Sequence, residues 1–260
     1  MIKIVLRDAA GKVLASASHD QEAMLCVDRA YQPGDTIEIS GYDHLWVQMD
    51  QALPSGEVYA PECHMTWPVP AGEHRLAYAP GIFDAPRHVI IAYALSPVDP
   101  KAYRDIARNP ADLRGDTDFY PHCTANVETR NEACFCARNV IDGLRFNTFH
   151  GEWPYESWGI GAREDAWCRL DFGRDVEIDQ MALTLRADFP HDAYWTAGVA
   201  VLSDGTEKAF SLTKTGDRQF IHFNHHHTVR WIRLECLQKS DDPSAFPALR
   251  SWEVYGHDVI

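Results

Sequence analysis

The sequence predicts an all-β protein: two tandem β-sandwich, jelly-roll-like domains joined by a short helical linker. Three observations carry this. Short runs of strand composition, punctuated by Gly, Pro, Asp and Asn, recur along both halves of the 260 residues. One of them, Val89-Ile90-Ile91-Ala92-Tyr93-Ala94, is a continuous apolar run bounded by turns, as a central sandwich strand requires. The rhythm then stops between residues 97 and 113 and resumes from Tyr120. This places an N-terminal sandwich at 1–97, a linker with a short helix at 98–118 and a second sandwich at 119–260.

Residues 1–6 and 12–17 flank Asp8-Ala9-Ala10-Gly11 and read as a hairpin. Thr36-Ile37-Glu38-Ile39-Ser40 alternates with period two, and Leu45-Trp46-Val47-Gln48-Met49 is the next strand. In the linker, Asp99 followed by Pro100 is a cap with proline at the first helical position, so a helix is expected to run to about Asn109-Pro110. Beyond it, strands are expected at 167–172, 176–185, 199–203, 207–212, 219–223, 229–237 and 249–256. His225-His226-His227 falls between two of these and reads as a turn. Alternation in Trp231-Ile232-Arg233-Leu234-Glu235-Cys236 marks an antiparallel strand with one buried face.

Hydrophobic content of 45% and charged content of 24% are those of a folded globular chain. A formal charge of -14 argues against nucleic acid and anionic membrane as partners, since cationic side chains must neutralise phosphates. No apolar run approaches the ~20 residues of a membrane helix. Residues 1–7 are too quickly polar for a secretory signal, so a cytoplasmic protein is expected, or a secreted one whose leader was removed. The seven cysteines, an odd number, are then reduced thiols, each a small buried hydrophobe, with Cys134 and Cys136 on one face of a strand.

The second half carries an ordered series of signatures. Ala137-Arg138-Asn139-Val140-Ile141-Asp142-Gly143 comes first, then Ala166-Trp167-Cys168-Arg169-Leu170-Asp171-Phe172-Gly173 and Ser203-Asp204-Gly205. Val229-Arg230-Trp231-Ile232-Arg233-Leu234 follows, and Pro247-Ala248-Leu249-Arg250-Ser251-Trp252-Glu253-Val254-Tyr255-Gly256 closes it. In this order and spacing, from about Tyr120 to Val259, they resemble the discoidin-like, coagulation-factor type C domains, which include the family 32 carbohydrate-binding modules. The resemblance implies a galactose-binding-like β-sandwich whose end loops hold a ligand, usually a sugar. It also implies a structural calcium ion, with Asp142 and Glu253 at the matching positions and Asn147 as a further oxygen donor. Asp142-Gly143 read by itself is a turn closed by an Asx bond. No organic cofactor is implied.

Three connections depart from that pattern: the aromatic insertion at 147–158, the loop at 185–195 and the stretch at 120–130. Sugar binding needs an apolar plate for the C–H face of a pyranose and fixed polar groups for its hydroxyls. Trp153, Trp158 and Trp195 are the stacking candidates; His122, Arg186, His191 and Asp192 are the hydroxyl contacts. The structural alternative is that Trp158 and Trp195 close the sandwich end as core and that Arg186 pairs with Asp188. The function expected is non-catalytic recognition of a saccharide or glycoside. The alternatives are a sugar-processing enzyme of hydrolase or lyase type working through His, Asp and Glu of the same loops, or a protein-interaction module with a protein partner.

Overall fold

The computed structural model describes residues 1–146, 150–151, 153–187 and 193–259. Among the described residues, every regular element longer than a 3₁₀ turn is a strand. The first half builds two four-stranded antiparallel sheets. One has the order β2 (Val13–His19), β1 (Ile2–Arg7), β4 (Thr36–Ser40) and β7 (His64–Pro68). The other has the order β3 (Glu22–Val27), β8 (His88–Ala94), β5 (His44–Gln48) and β6 (Gly56–Tyr59). The 8–11 turn closes the expected hairpin, with Ile4 opposite Ala17. β8 is central in its sheet, yet only His88, Ile90 and Ala92 of it are buried, so the apolar run has one face in the core and one outward. Ile4, Ile37, Ile39, Leu45, Ile90 and Trp67 are fully enclosed between the sheets.

The expected linker helix is replaced by a single 3₁₀ turn at Asp99–Lys101, followed by β9 (Arg104–Asp105). An isolated two-turn helix is marginal, and here an open strand edge competes for its backbone groups. Asp99 caps the N–H of Ser96 at 2.8 Å, outside any helix. Further along, the Ile106 N–H donates to Val254 O at 2.8 Å, and Asp105 Oδ1 accepts from the N–H groups of Ala107 and Val254, each at 3.1 Å. Residues 104–113 thus form a strap between the two halves. Trp67 Nε1 donates to Ala111 O at 2.8 Å, and Phe119, Ala133 and Cys136 belong to the first core.

The second half is one curled sheet in the order β11 (Trp158–Gly159), β16 (Ala248–Asp258), β12 (Cys168–Leu185), β15 (Gln219–Lys239), β13 (Trp195–Leu202), β14 (Glu207–Ser211). β10 (His122–Ala125) adds to β12, and β9 to β16. Strands expected as pairs are fused: 167–172 with 176–185, and 219–223 with 229–237. The fused strands bend at irregularities in register, which lets each serve both halves of the sandwich. His225, His226 and His227 lie inside β15 at one such bulge, since Ile178 faces His227 while Gln180 faces His222. At another bend, Gly173 (φ +68) lies under the Tyr120 ring, where a Cβ would come 2.3 Å from Cδ2. The core is closed by Trp158, Trp195, Trp252, Phe172 and the inward faces of β12, β15 and β16.

Cys134 and Cys136 sit in or beside 3₁₀ turns instead of on a strand. All seven cysteines are free thiols; Cys26, Cys63 and Cys236 are exposed, so the expectation of burial holds for four of them. Cys123 and Cys168 lie buried with their Sγ atoms 3.3 Å apart, and burial raises the Cys123 thiol well above its usual value. No helix among the described residues is long and apolar enough to cross a membrane.

Candidate functional site

The aromatic loops divide into a closed part and an open part. Trp158 is 0% exposed, its ring lies 5.7 Å from that of Trp195, and its Nε1 donates to Val127 O at 2.9 Å. Neither ring presents a face to solvent; the two pack against each other, tilted by 42°, inside the core. Arg186 is likewise buried: its backbone N–H donates to Ala248 O at 2.9 Å and its guanidinium to Tyr155 O at 2.7 Å. It holds the loop strand in place from beneath. His122 begins β10, where its Nδ1 lies 2.6 Å from Asp112 Oδ1. Burial alone would lower that imidazole, but the charge and hydrogen bond of Asp112 outweigh it and raise its pKa. Of the described ligand candidates, Trp153 alone is open. His191, Asp192 and Asn147 lie outside the described residues.

Trp153 is 37% exposed and walls a cleft of about 450 Å³. Leu53 and Pro54 face it from the first half, Ile82 and Leu144 extend the apolar wall, and Arg138 and Asp142 are its polar groups. Arg138 is buried, with Nη1 donating to Ala77 O and Nη2 to Pro110 O at 3.0 Å each, and its guanidinium lies 4.6 Å over the Tyr78 ring. It ties the strap to both halves and fixes one side of the cleft. Sequence reasoning missed this role. Arg138 sits in the Ala-Arg-Asn-Val-Ile-Asp-Gly signature, but nothing local announces that its partners come from residues 77 and 110.

Asp142 makes the Asx bond, with Oδ1 accepting the Leu144 N–H at 2.8 Å, and its carboxylate also faces Arg250. Arg250 is the unpaired residue of a bulge, since Thr184 pairs with Ser251 and Leu185 with Leu249. Its buried guanidinium donates to Asp142 Oδ2 at 3.2 Å, Asn139 O at 2.9 Å and Phe146 O at 3.1 Å. Glu253 Oε1 accepts from Arg145 Nη1 at 2.9 Å and from the Tyr255 hydroxyl at 2.8 Å. The described donors therefore fit calcium poorly: each carboxylate already faces a guanidinium, and no group of three or more His, Cys, Asp or Glu converges among the described residues. Arg250 bonds the Asn139 and Phe146 carbonyls and the Asp142 carboxylate of the 139–146 segment.

Two carboxyls are raised toward neutrality. Burial pushes Glu156 up to about 7, although the Arg250 charge pulls it down; it is 1% exposed, and Oε1 has no partner among the described residues. Burial, with the neighbouring Glu253 charge, also pushes Asp105 up to about 7 against the hydrogen bonds of Val254 and Ala107. Neither was visible in the sequence, because both shifts come from what packs around the carboxyl.

No family model matches the chain, and no curated protein matches it. Its backbone is similar to those of several solved structures. A fucolectin from the serum of the striped bass, Morone saxatilis, has a TM-score of 0.44 at 18% identity, over 60% of this chain and 50% of the lectin. Chitosan-binding module 1 of a chitosanase/glucanase from Paenibacillus sp. IK-5 has 0.41 at 17% identity, over 58% of this chain and 98% of the module. Discoidin II of Dictyostelium discoideum has 0.41 at 16% identity, over 54% of this chain and 56% of discoidin II.

Proposed function

We propose that this protein is a non-catalytic carbohydrate-binding protein that holds a saccharide or glycoside against Trp153. The half-open indole, in a cleft with an apolar wall and with Arg138 and Asp142 in its lining, carries the reading. The indole is a plate for the C–H face of a pyranose, and Arg138 and Asp142 offer fixed groups for its hydroxyls. The ordered signatures of the second half support the same reading. The test is a glycan array followed by calorimetric titration of each hit. Trp153→Ala is expected to weaken binding at least about tenfold, and Trp153→Phe to restore part of it. Equal affinity of wild type and Trp153→Ala for every hit refutes the site.

One observation favours the enzymatic alternative: Glu156, three residues from Trp153 in sequence, holds its proton near neutral pH as a general acid must. Its burial argues the other way, since a side chain 1% exposed does not reach a glycosidic oxygen in the cleft. Incubating each array hit with the protein and resolving the products decides this. Turnover lost in Glu156→Gln would replace binding with hydrolysis.

A further inference from the structure

The segment 140–145 separates two clefts. Asp142 and Leu144 face the Trp153 cleft; Gly143 and Arg145 face another, of about 550 Å³, on the outer side of β16. Trp252 and Val254 of β16 point into the core, which leaves Ser251, Glu253 and Tyr255 on this outer face. Asp105 and Arg108 of the strap complete it. The cleft depends on Gly143, because a Cβ there would stand 2.6 Å from Arg108 Nε.

Two independent features mark this cleft as built for a ligand. The first is an orphaned acceptor. Glu253 is 4% exposed; its Oε1 is taken by Arg145 and Tyr255, with Arg218 at 3.5 Å, while the buried Oε2 has no partner among the described residues. A buried carboxylate oxygen left unpaired costs stability unless a donor reaches it. The second is a row of rings. The Tyr255 ring lies 6.3 Å from that of Tyr103, stacked at 23°, and 6.3 Å from that of Phe220 on the other side. The two outer rings are 54% and 46% exposed. Arg218 lies 5.1 Å over Phe220, and the Tyr103 hydroxyl donates to Asp179 at 2.6 Å.

We infer that this face is a second saccharide site, taking a neutral oligosaccharide of two or more sugar rings along Tyr103, Tyr255 and Phe220. The half-exposed Tyr103 and Phe220 rings offer apolar surface to successive pyranoses, and Arg145 and the Tyr255 hydroxyl, which hold Glu253 Oε1, line the cleft beside them for sugar hydroxyls. Charge sets the class. Beside the rings, Arg145 and Arg218 are matched by Glu253 and Asp179, so neither a uronate nor an amino sugar gains from the local field. The inference shares the ligand class of the proposed function but uses different residues on a different face.

The experiment is calorimetric titration of wild type, Trp153→Ala and the double variant Tyr103→Ala/Phe220→Ala. The probes are lactose, xylotetraose, cellotetraose and galactotetraose, with trigalacturonate and chitosan trimer as charged counterparts. The two outer rings are exposed, and circular dichroism checks that their removal leaves the fold intact. Expected is a neutral tetrasaccharide that binds Trp153→Ala nearly as well as wild type and the double variant at least tenfold more weakly. Binding unaltered in a folded double variant overturns the inference, as does preference for either charged probe or binding of none. Loss confined to Trp153→Ala also overturns it while leaving the Trp153 site standing; loss confined to the double variant supports it and sinks the Trp153 site.

Discussion

Replacing Glu156 by Gln is expected to make the protein more stable in mild alkali and to flatten its pH dependence. The carboxyl is 1% exposed and ionises near 7 in the folded chain, against 4.5 when solvated. The folded state therefore holds the proton more tightly than the unfolded one. The contribution of this group is fully present below about 4.5 and is lost as pH rises through about 7. Two and a half decades of proton affinity correspond to roughly 3 kcal/mol. Gln keeps an oxygen to accept the Tyr155 N–H, which Glu156 Oε2 now takes at 3.1 Å, and never ionises. The assay is urea unfolding of both proteins from pH 4.5 to 8.5. The stability difference, variant minus wild type, should climb by roughly 3 kcal/mol across that range, or roughly 6–12 °C in Tm. Asp105 drives wild-type stability the same way, but it is common to both proteins and cancels in the difference. A difference that stays flat with pH would show that Glu156 is solvated and ionised throughout, and the argument for its burial would fail.

Trp158→Ala is expected to cost about 3–5 kcal/mol, because the ring fills the core against Trp195 and donates to Val127; chemical denaturation measures it, and a loss under 1 kcal/mol would mean the ring is open to solvent. Arg250→Ala should cost about 3–5 kcal/mol by stranding the Asp142 carboxylate, with Arg250→Met/Asp142→Asn recovering a large part in a double-mutant cycle; additive losses would sink the pairing. Millimolar calcium or EDTA should leave Tm unchanged, since guanidinium groups already face both carboxylates, and a chelator-induced drop would place the ion back in the loop. The raised His122 pKa implies stability fully present below the unfolded imidazole value and lost as pH rises through the folded one; in His122→Asn that part of the pH profile should disappear.

The strands were legible because their signal is local. Period-two alternation in residues 36–40 and 231–236 and the turns around them depend only on which face of each strand is wet. The resemblance of the second half and the Asx turn at Asp142 could be read the same way. The linker helix failed for a reason outside its own sequence: Asp99-Pro100 opens only a 3₁₀ turn, and the free edge of β16 takes the backbone groups of residues 104–106. The fusion of neighbouring strands into β12 and β15 is equally non-local, since a bend within one strand and a turn between two use the same residues until their partners are fixed.

Side-chain roles divide along the same line. Three tryptophans looked alike in sequence, yet Trp158 and Trp195 meet across the sandwich while Trp153 faces the cleft. Arg250 looked like one more residue of the last strand until a bulge turned it beneath Asp142. Sequence alone determined the fold class, the strand faces and the aromatic character of the loops, because these follow from composition and period. Which aromatic is wet, which carboxyl keeps its proton and which charge neutralises which were decided by tertiary structure, because burial and Coulomb attraction depend on distances between residues remote in the chain.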